Sequence, residues 1–306
     1  FQKFIMVLNN LKLKNFIIPI ILFLTIILGF IFNEDSLGGA KNDFYSHLER
    51  TLLFKQDFFY YFINYDTLEH RHSPIFFIFS SKILNFSKSV EIFRFLHLLI
   101  PLLIYFFFYL CLKIRFNKID DKKLALISSL IFISPTIRSY SIWPDSYLYG
   151  ILFFLISIFY FLIYKYQTYS FSKIFLNIFF LSLSSYFMPI FSIFSVYFFF
   201  DFLIFFLKRK LFKEIFLVIF FNLVLALPAF YYIFFLDINF LRSSGEWGLT
   251  EKTFSFLNFS NKFFYSSSII FFHLIPFFFI FLNRIKSNFS LFKDKKFILI
   301  SLFLLL

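Results

Sequence analysis

Residues 33–74, NEDSLGGAKNDFYSHLERTLLFKQDFFYYFINYDTLEHRHSP, form a polar stretch between two apolar blocks. This stretch contains seven acidic residues, three of the five histidines and two adjacent glycines. Most of the chain on either side of it is apolar. The pattern predicts a polar loop that carries the chemistry and is held in place by an apolar scaffold.

The composition decides the class of scaffold. Hydrophobic residues make up 60% of the chain, and 62 of its 306 residues are phenylalanine. A soluble domain has too little polar surface to cover so much apolar side chain. The net charge of +13 does not indicate a nucleic-acid partner, because the basic residues fall in short clusters between apolar blocks. We predict an all-α polytopic transmembrane bundle that sits in a lipid bilayer.

Apolar blocks of near-spanning length set the expected topology, since a helix needs about 20 apolar residues to cross the hydrocarbon layer. The blocks are 16–32, 96–112, 124–135, 147–164, 174–186, 190–207, 215–236 and 266–282, with another from 297. With the N-terminus in the cytoplasm, most basic residues fall inside and most acids outside, which is the positive-inside pattern. We therefore predict a first outward loop over 33–95 with interfacial helices. Because the last apolar run is still open at Leu306, we expect one transmembrane domain over 1–306 that is truncated at its C-terminus.

The first candidate group in the loop is Lys41-Asn42-Asp43, which follows the two glycines. The residues after Asp43 have a helical apolar pattern, and the expected apolar face consists of Phe44, His47, Leu48, Thr51 and Leu52. Such a helix would lie along the membrane surface. Asp43 near its start is placed either to accept a proton or to act as the N-cap, and the spacing alone leaves both open.

The second group is His70-Arg71-His72. Histidine and arginine at a membrane surface suit an anionic head group such as a lipid phosphate. His72 together with Asp43 is also a candidate pair of ligands for a divalent metal. The alternative for this group is simple anchoring at the membrane interface.

The third group, Arg138 and Asp145, lies in the segment that joins blocks 124–135 and 147–164. Ionisable residues at membrane depth are functional candidates by default. The alternative is that Arg138 and Asp145 pair with each other, with Trp143 anchored in the lipid interface.

The order of these features resembles the membrane glycosyltransferases of the GT-C superfamily. The similarity is to the polyprenol-phosphate-sugar-dependent branch, which includes protein O-mannosyltransferases and lipid A aminoarabinose transferases. It covers residues 10–200 and depends on four segments: NDFYSH at 42–47, HSPIFFIFSSKILNFS at 72–87, EIFRFLHLLIPLL at 91–103 and LALISSLIFISPTIRSYSIWPDSYLYG at 124–150. The family often has two acids together in the first loop, whereas this chain has Asn42-Asp43.

The resemblance implies an inverting transfer of a sugar from a polyprenyl-phosphate donor to a lipid, glycan or protein acceptor. The reaction would take place on the periplasmic face of a bacterial inner membrane. Asp43, favoured over Asp35, would be the general base, and a divalent metal is a candidate cofactor. The residues expected to bind substrate are Lys41, His70, His72, Arg94, Arg138 and Asp145. The alternatives are a transporter or flippase of a lipid-linked glycan and an O-antigen-type polymerase.

Overall fold

The computed structural model describes residues 15–68, 73–167, 169–234 and Phe264, and every regular element among them is helical. The chain divides into one unit over Phe1–Ile238 and a second over Asn239–Leu306, of which only Phe264 is described. The helices are α1 Ile17–Ile31, α2 Ala40–Gln56, α3 Phe58–Ile63, α4 Ile75–Ser87, α5 Val90–His97, α6 Leu99–Arg115, α7 Asp121–Ser129, α8 Pro135–Ile142, α9 Ser146–Tyr166, α10 Phe171–Phe187, α11 Ile193–Lys208 and α12 Phe212–Phe234. Short 3-10 helices occupy Tyr65–Leu68, Leu130–Ile133 and Pro189–Ser192.

The described helices include several that are long and apolar enough to cross a membrane. They are Val90–Arg115, which joins α5 and α6, then Ser146–Tyr166, Pro189–Lys208 and Phe212–Tyr232. Helices α1 and α10 are apolar but shorter, so blocks 16–32 and 174–186 are helical without reaching the usual length of a span. The blocks at 266–282 and from 297 lie outside the described residues. The predicted all-α membrane bundle is confirmed.

The helical stretch that begins with block 124–135 does not end at Pro135 but bends there and continues. Asp121–Ile133 and Pro135–Ile142 together pass as one apolar stretch, bent by 68° between them. Pro135 lacks an N–H and disfavours helical backbone at the residue before it, and Ser134 is extended at φ −61° and ψ 122°. The Ser134 hydroxyl then accepts the N–H of Ile137 at the start of α8. The bend directs α8 towards the loop that follows α1.

The polar loop folds largely as helices, as the sequence predicts. Helix α2 packs against α4, and the rings of Phe54 and Phe77 are stacked with centroids 6.2 Å apart. Phe44 and Thr51 lie on the buried face of α2, as expected. The prediction for Leu52 was wrong, since this side chain is exposed, whereas Phe54 is buried in its place. The pattern resolved the helix but misjudged the edge of its narrow apolar face.

Helices α9 and α10 form the most extensive helix contact among the described residues. The Ser184 hydroxyl donates to the carbonyl oxygen of Gly150 at 2.8 Å, and the Asn177 amide donates to the carbonyl oxygen of Ser157 at 2.9 Å. Small residues allow membrane helices to approach this closely, and polar side chains then bond across the contact. A Cβ atom on Gly150 would lie 2.9 Å from the Cβ of Met188.

We expect Gly150→Ala to destabilise the protein by about 1–3 kcal/mol, because the clash is with the base of the Met188 side chain and α9 has to shift. Thermal unfolding of the purified protein in detergent measures this loss. Gly39→Ala is the matched control, since a Cβ there meets nothing within 4 Å. Equal melting temperatures for the two variants would contradict the tight contact at Gly150.

Candidate functional site

Trp143 is contacted by two of the predicted site residues, Arg94 and Lys41. Its ring is buried, with 1% of its surface exposed, and its Nε1–H donates to the carbonyl oxygen of Glu34 at 2.9 Å. The guanidinium carbon of Arg94 lies 3.8 Å from the ring centroid, and the Lys41 amine lies 5.5 Å from it. Cations are attracted to the face of an indole ring in this way. A buried Trp143 rules out the alternative that it anchors the protein in the lipid interface.

Arg94 is buried, and its guanidinium bonds two other segments of the chain as well as Glu91 on its own helix. Its Nε–H donates to the carbonyl oxygen of Ile142 at 3.2 Å, and a terminal nitrogen donates to the Asn33 side chain at 3.0 Å. The other terminal nitrogen pairs with Glu91 at 3.0 Å. Arg94 therefore fastens the end of α1 and the end of α8 to α5. The prediction that Arg94 binds substrate is not tested by these contacts, which describe a positioning residue.

Arg138 pairs with a carboxylate that sequence patterns did not single out. Its Nε–H donates to one Glu34 oxygen at 2.9 Å, and a terminal nitrogen bonds the other oxygen. A second terminal nitrogen donates to the Thr25 hydroxyl at 2.7 Å. The proposed ion pair between Arg138 and Asp145 was wrong, because the bend before α8 turns Arg138 towards α1 instead.

The pairing of Glu34 gives stability a defined pH dependence. The hydrogen bond from Arg138 lowers the pKa of Glu34 below its usual 4.5 and outweighs the opposite effect of burial. A carboxyl group with a lowered folded-state pKa stabilises the fold fully above pH 4.5 and loses that contribution as the pH falls through the folded pKa.

We expect Glu34→Gln to lower the free energy of unfolding by about 1 kcal/mol at neutral pH, a modest value because the side chain is partly exposed. The deficit relative to the natural protein should shrink as the pH falls below 4.5. Unfolding curves in detergent at several pH values measure it, with the exposed Glu49 changed to Gln as control. A deficit that stays constant down to acid pH would contradict the pair.

Asp145 joins two elements at the start of α9. One of its oxygens accepts the N–H of Tyr147 at 2.7 Å and so caps the helix, and the other lies 3.2 Å from Nδ1 of His47. The His47 ring contacts the edges of Phe76 and Phe77, with centroids 5.5 and 5.7 Å away. Asp145 thus lies within ion-pair distance of an imidazole that is one helical turn after Asp43 on α2.

Asp43 and Asp35 differ in what their carboxylates do. Asp35 accepts the N–H groups of Gly38 and Lys41 at 3.1 and 3.2 Å, and so satisfies donors at the start of α2. Gly38 has a φ of +78°, which allows the turn that brings Asp35 there. Because α2 begins at Ala40, Asp43 lies inside the first turn and the N-cap alternative was wrong. Asp43 is exposed, and no described residue hydrogen-bonds to its carboxylate.

Tyr140 lies within electrostatic range of three of the acids. The charges of Asp145, Asp43 and Asp35 all act on its hydroxyl, with that of Asp145 the largest. Its ring lies 5.5 Å from that of Tyr147. The sequence prediction did not include Tyr140 because one tyrosine among 18 has no distinguishing pattern. Glu34 was missed for a related reason, since only the bend at α8 gives it an arginine partner.

Of the proposed metal ligands, Asp43 is among the described residues and His72 is not. His70 and His72 lie outside the described residues, so their predicted roles stay predictions. Among the residues that are described, no group of three or more His, Cys, Asp and Glu side chains is arranged to hold a metal ion.

Comparisons with known proteins do not bear on the resemblance to GT-C enzymes, which depends on the sequence motifs alone. No family model, curated protein or solved structure matches this chain. The structure brings Lys41 and Arg94 to the Trp143 ring, and it brings Arg138 to Glu34, whose carbonyl oxygen accepts from Trp143. Asp145 lies beside His47 at the start of α9, and Asp43 lies in the first turn of α2.

Proposed function

We propose that this protein is a membrane glycosyltransferase that moves a sugar from a polyprenyl-phosphate donor to an acceptor hydroxyl on the periplasmic face of a bacterial inner membrane. One observation carries the proposal: Asp43 has an exposed carboxylate in the first turn of α2, directly before Phe44, whose ring lies 5.8 Å from that of Trp143 in an apolar bundle. An apolar bundle suits a lipid donor, and an exposed carboxylate suits proton transfer from an acceptor hydroxyl.

In the proposed reaction, Asp43 acts as general base. Its carboxylate accepts the proton of the acceptor hydroxyl while the acceptor oxygen forms a bond to the anomeric carbon of the sugar. The bond between that carbon and the phosphate oxygen breaks, and the prenyl phosphate leaves with the electron pair. The configuration at the anomeric carbon is inverted. His70 and His72 are the proposed partners of the departing phosphate, where a positive charge stabilises the negative charge that develops.

Lys41 and His47 complete the proposed site. Lys41 is exposed two residues before Asp43, and its amine supplies a positive charge at the mouth of the site. His47 lies 3.2 Å from Asp145 and is on the same helix as Asp43. Arg94 and Trp143 hold these elements together, so in this proposal they position the site and do not touch the reacting atoms.

The test is turnover by the purified protein in proteoliposomes. The donors are short-chain prenyl phosphates that carry different sugars, and a bacterial envelope extract supplies acceptors. Release of free prenyl phosphate, detected by mass spectrometry, is the expected result. Movement of an intact donor across the bilayer without release would instead favour the transporter or flippase. Turnover only of prenyl-pyrophosphate glycans would favour the O-antigen-type polymerase.

A further inference from the structure

A three-residue turn joins the spanning helices α11 and α12. Helix α11 ends at Lys208 and α12 begins at Phe212. Helix α9 starts three residues after Trp143 and runs for 21 residues, about 30 Å. Tyr169, just beyond the other end of α9, has its ring centroid 6.0 Å from the guanidinium carbon of Arg209. The turn therefore lies at the end of the bundle opposite to Trp143, and that end faces the cytoplasm in the predicted topology.

Two backbone hydrogen bonds close this turn. The N–H of Lys210 donates to the carbonyl oxygen of Leu207 at 3.2 Å, and the N–H of Leu211 donates to that of Phe206 at 3.0 Å. This is the Schellman arrangement, in which the residue after the helix cap takes the left-handed conformation and is usually glycine. Here that residue is Lys210, with a φ of +56°. The turn thus holds a lysine in a conformation that is unfavourable for any residue with a Cβ atom.

The turn and the start of α12 carry a dense positive charge. Four of the six residues from 208 to 213 are basic, and all four side chains are exposed. They are Lys208, Arg209, Lys210 and Lys213. Among the described residues, no carboxylate forms an ion pair with any of them. A cluster of this kind next to a spanning helix attracts lipids with anionic head groups.

Two aromatic rings hold the guanidinium of Arg209. Its central carbon lies 4.3 Å from the ring centroid of Phe205 and 6.0 Å from that of Tyr169. The two rings lie 5.4 Å apart. Contact with aromatic faces fixes the planar group and leaves its charge in place. A guanidinium held in this way is suited to bind two oxygens of one phosphate through parallel N–H bonds.

Apolar side chains flank the basic cluster on the lipid side. Leu207 and Phe212 lie on either side of the turn, Phe216 lies one helical turn further along α12, and all three are exposed. The described residues cover only a small part of the two spanning helices that meet here. A phosphate with acyl chains can therefore contact both the charges and the apolar surface, whereas free phosphate can contact only the charges.

We infer that the turn between α11 and α12 binds an anionic phospholipid, with its phosphate at Arg209 and Lys210 and its acyl chains along the exposed side of α12. The site lies at the other end of the bundle from Asp43 and takes a bilayer lipid that carries no transferable sugar. The inference is independent of the proposed function.

The experiment is native mass spectrometry of the full chain, released from detergent micelles that contain phosphatidylglycerol or phosphatidylcholine with the same acyl chains. We expect phosphatidylglycerol to be retained more strongly and to raise the melting temperature in the same detergent. Inorganic phosphate at the same concentration should do neither. Equal retention of phosphatidylcholine, or equal stabilisation by inorganic phosphate, would overturn the lipid site.

Lys210→Gly separates lipid binding from folding. It should weaken phosphatidylglycerol binding by about fivefold, the effect of one positive charge near a membrane surface. It should also raise the melting temperature of the lipid-free protein, because glycine adopts the left-handed conformation without strain. Lys88→Gly is the matched control, since Lys88 also has a φ of +56° and follows α4 in the predicted outward loop. This control should raise the melting temperature and leave lipid binding unchanged.

Lys122→Gln tests whether any basic residue at the same end of the bundle has this effect. Lys122 is exposed on α7 and directly follows Asp120 and Asp121, whose negative charges oppose its own. We expect this variant to weaken phosphatidylglycerol binding by less than about twofold. Unchanged binding by Lys210→Gly, or an equal loss in Lys122→Gln, would overturn the assignment to the turn. Sugar transfer is measured separately, so its absence would contradict the proposed function and leave this site standing.

Discussion

Replacing Asp43 by asparagine is expected to lower sugar transfer by about 10²–10⁴-fold, the usual contribution of a general base. The carboxamide has nearly the same shape but cannot take the proton from an acceptor hydroxyl. Because Asp43 is exposed and no described residue hydrogen-bonds to its carboxylate, the fold should be unchanged. Release of prenyl phosphate measures transfer, and photolabelling measures donor binding, which should persist.

Two other acids serve as controls for Asp43. Glu49→Gln removes an exposed carboxylate from the same helix and should leave transfer unchanged. Asp35→Asn should weaken the start of α2, because Asp35 accepts the N–H groups of Gly38 and Lys41, and so should lower stability more than turnover. Normal transfer by Asp43→Asn, or a loss confined to Asp35→Asn, would remove Asp43 as the base.

Trp143→Ala is expected to have the largest effect on stability, a loss of about 3 kcal/mol. The substitution leaves a cavity at a fully buried position and removes the N–H that bonds the Glu34 carbonyl oxygen. It also takes away the ring against which Arg94 lies at 3.8 Å, so that a buried guanidinium loses a partner. Unfolding in detergent measures the loss.

Trp143→Phe separates these contributions. Phenylalanine fills much of the space, so the loss should fall to about 1–2 kcal/mol, the cost of the missing hydrogen bond and the weaker cation–π contact. Phe216→Ala is the control for removing an aromatic ring, because Phe216 is 67% exposed on a spanning helix where lipid replaces the contact. A Trp143→Ala variant as stable as Phe216→Ala would show that the cluster does not hold the fold together.

Helix α2 could be predicted from the sequence, whereas the ion-pair partner of Arg138 could not. The helix after Asp43 was predictable because its apolar residues repeat with helical spacing, and local periodicity is a property of the sequence alone. The partner of Arg138 was not predictable from spacing. Asp145 is nearer in the chain. The 68° bend before α8 nevertheless places the guanidinium of Arg138 against the carboxylate of Glu34, 104 positions away.

The choice between Asp43 and Asp35 shows the same division. Both are acids in one polar loop, and the sequence favoured Asp43 because its distance to the HSP motif fits better and because Asp35 lies almost at the end of the first apolar block. The structure assigns Asp35 to the start of α2 and leaves Asp43 exposed, which strengthens that choice without testing it. Which backbone donors a carboxylate meets depends on the turn at Gly38, and therefore on backbone geometry.

The sequence by itself determined that this chain is a helical membrane protein with one concentrated polar stretch. Apolar content and block length suffice for that conclusion, because the bilayer imposes the same length and hydrophobicity on every spanning helix. Only the tertiary structure decided that Lys41, Arg94 and the Glu34 backbone meet at a buried Trp143. These contacts join residues up to 109 positions apart, and such pairings depend on how helices bend and pack, which local composition does not specify.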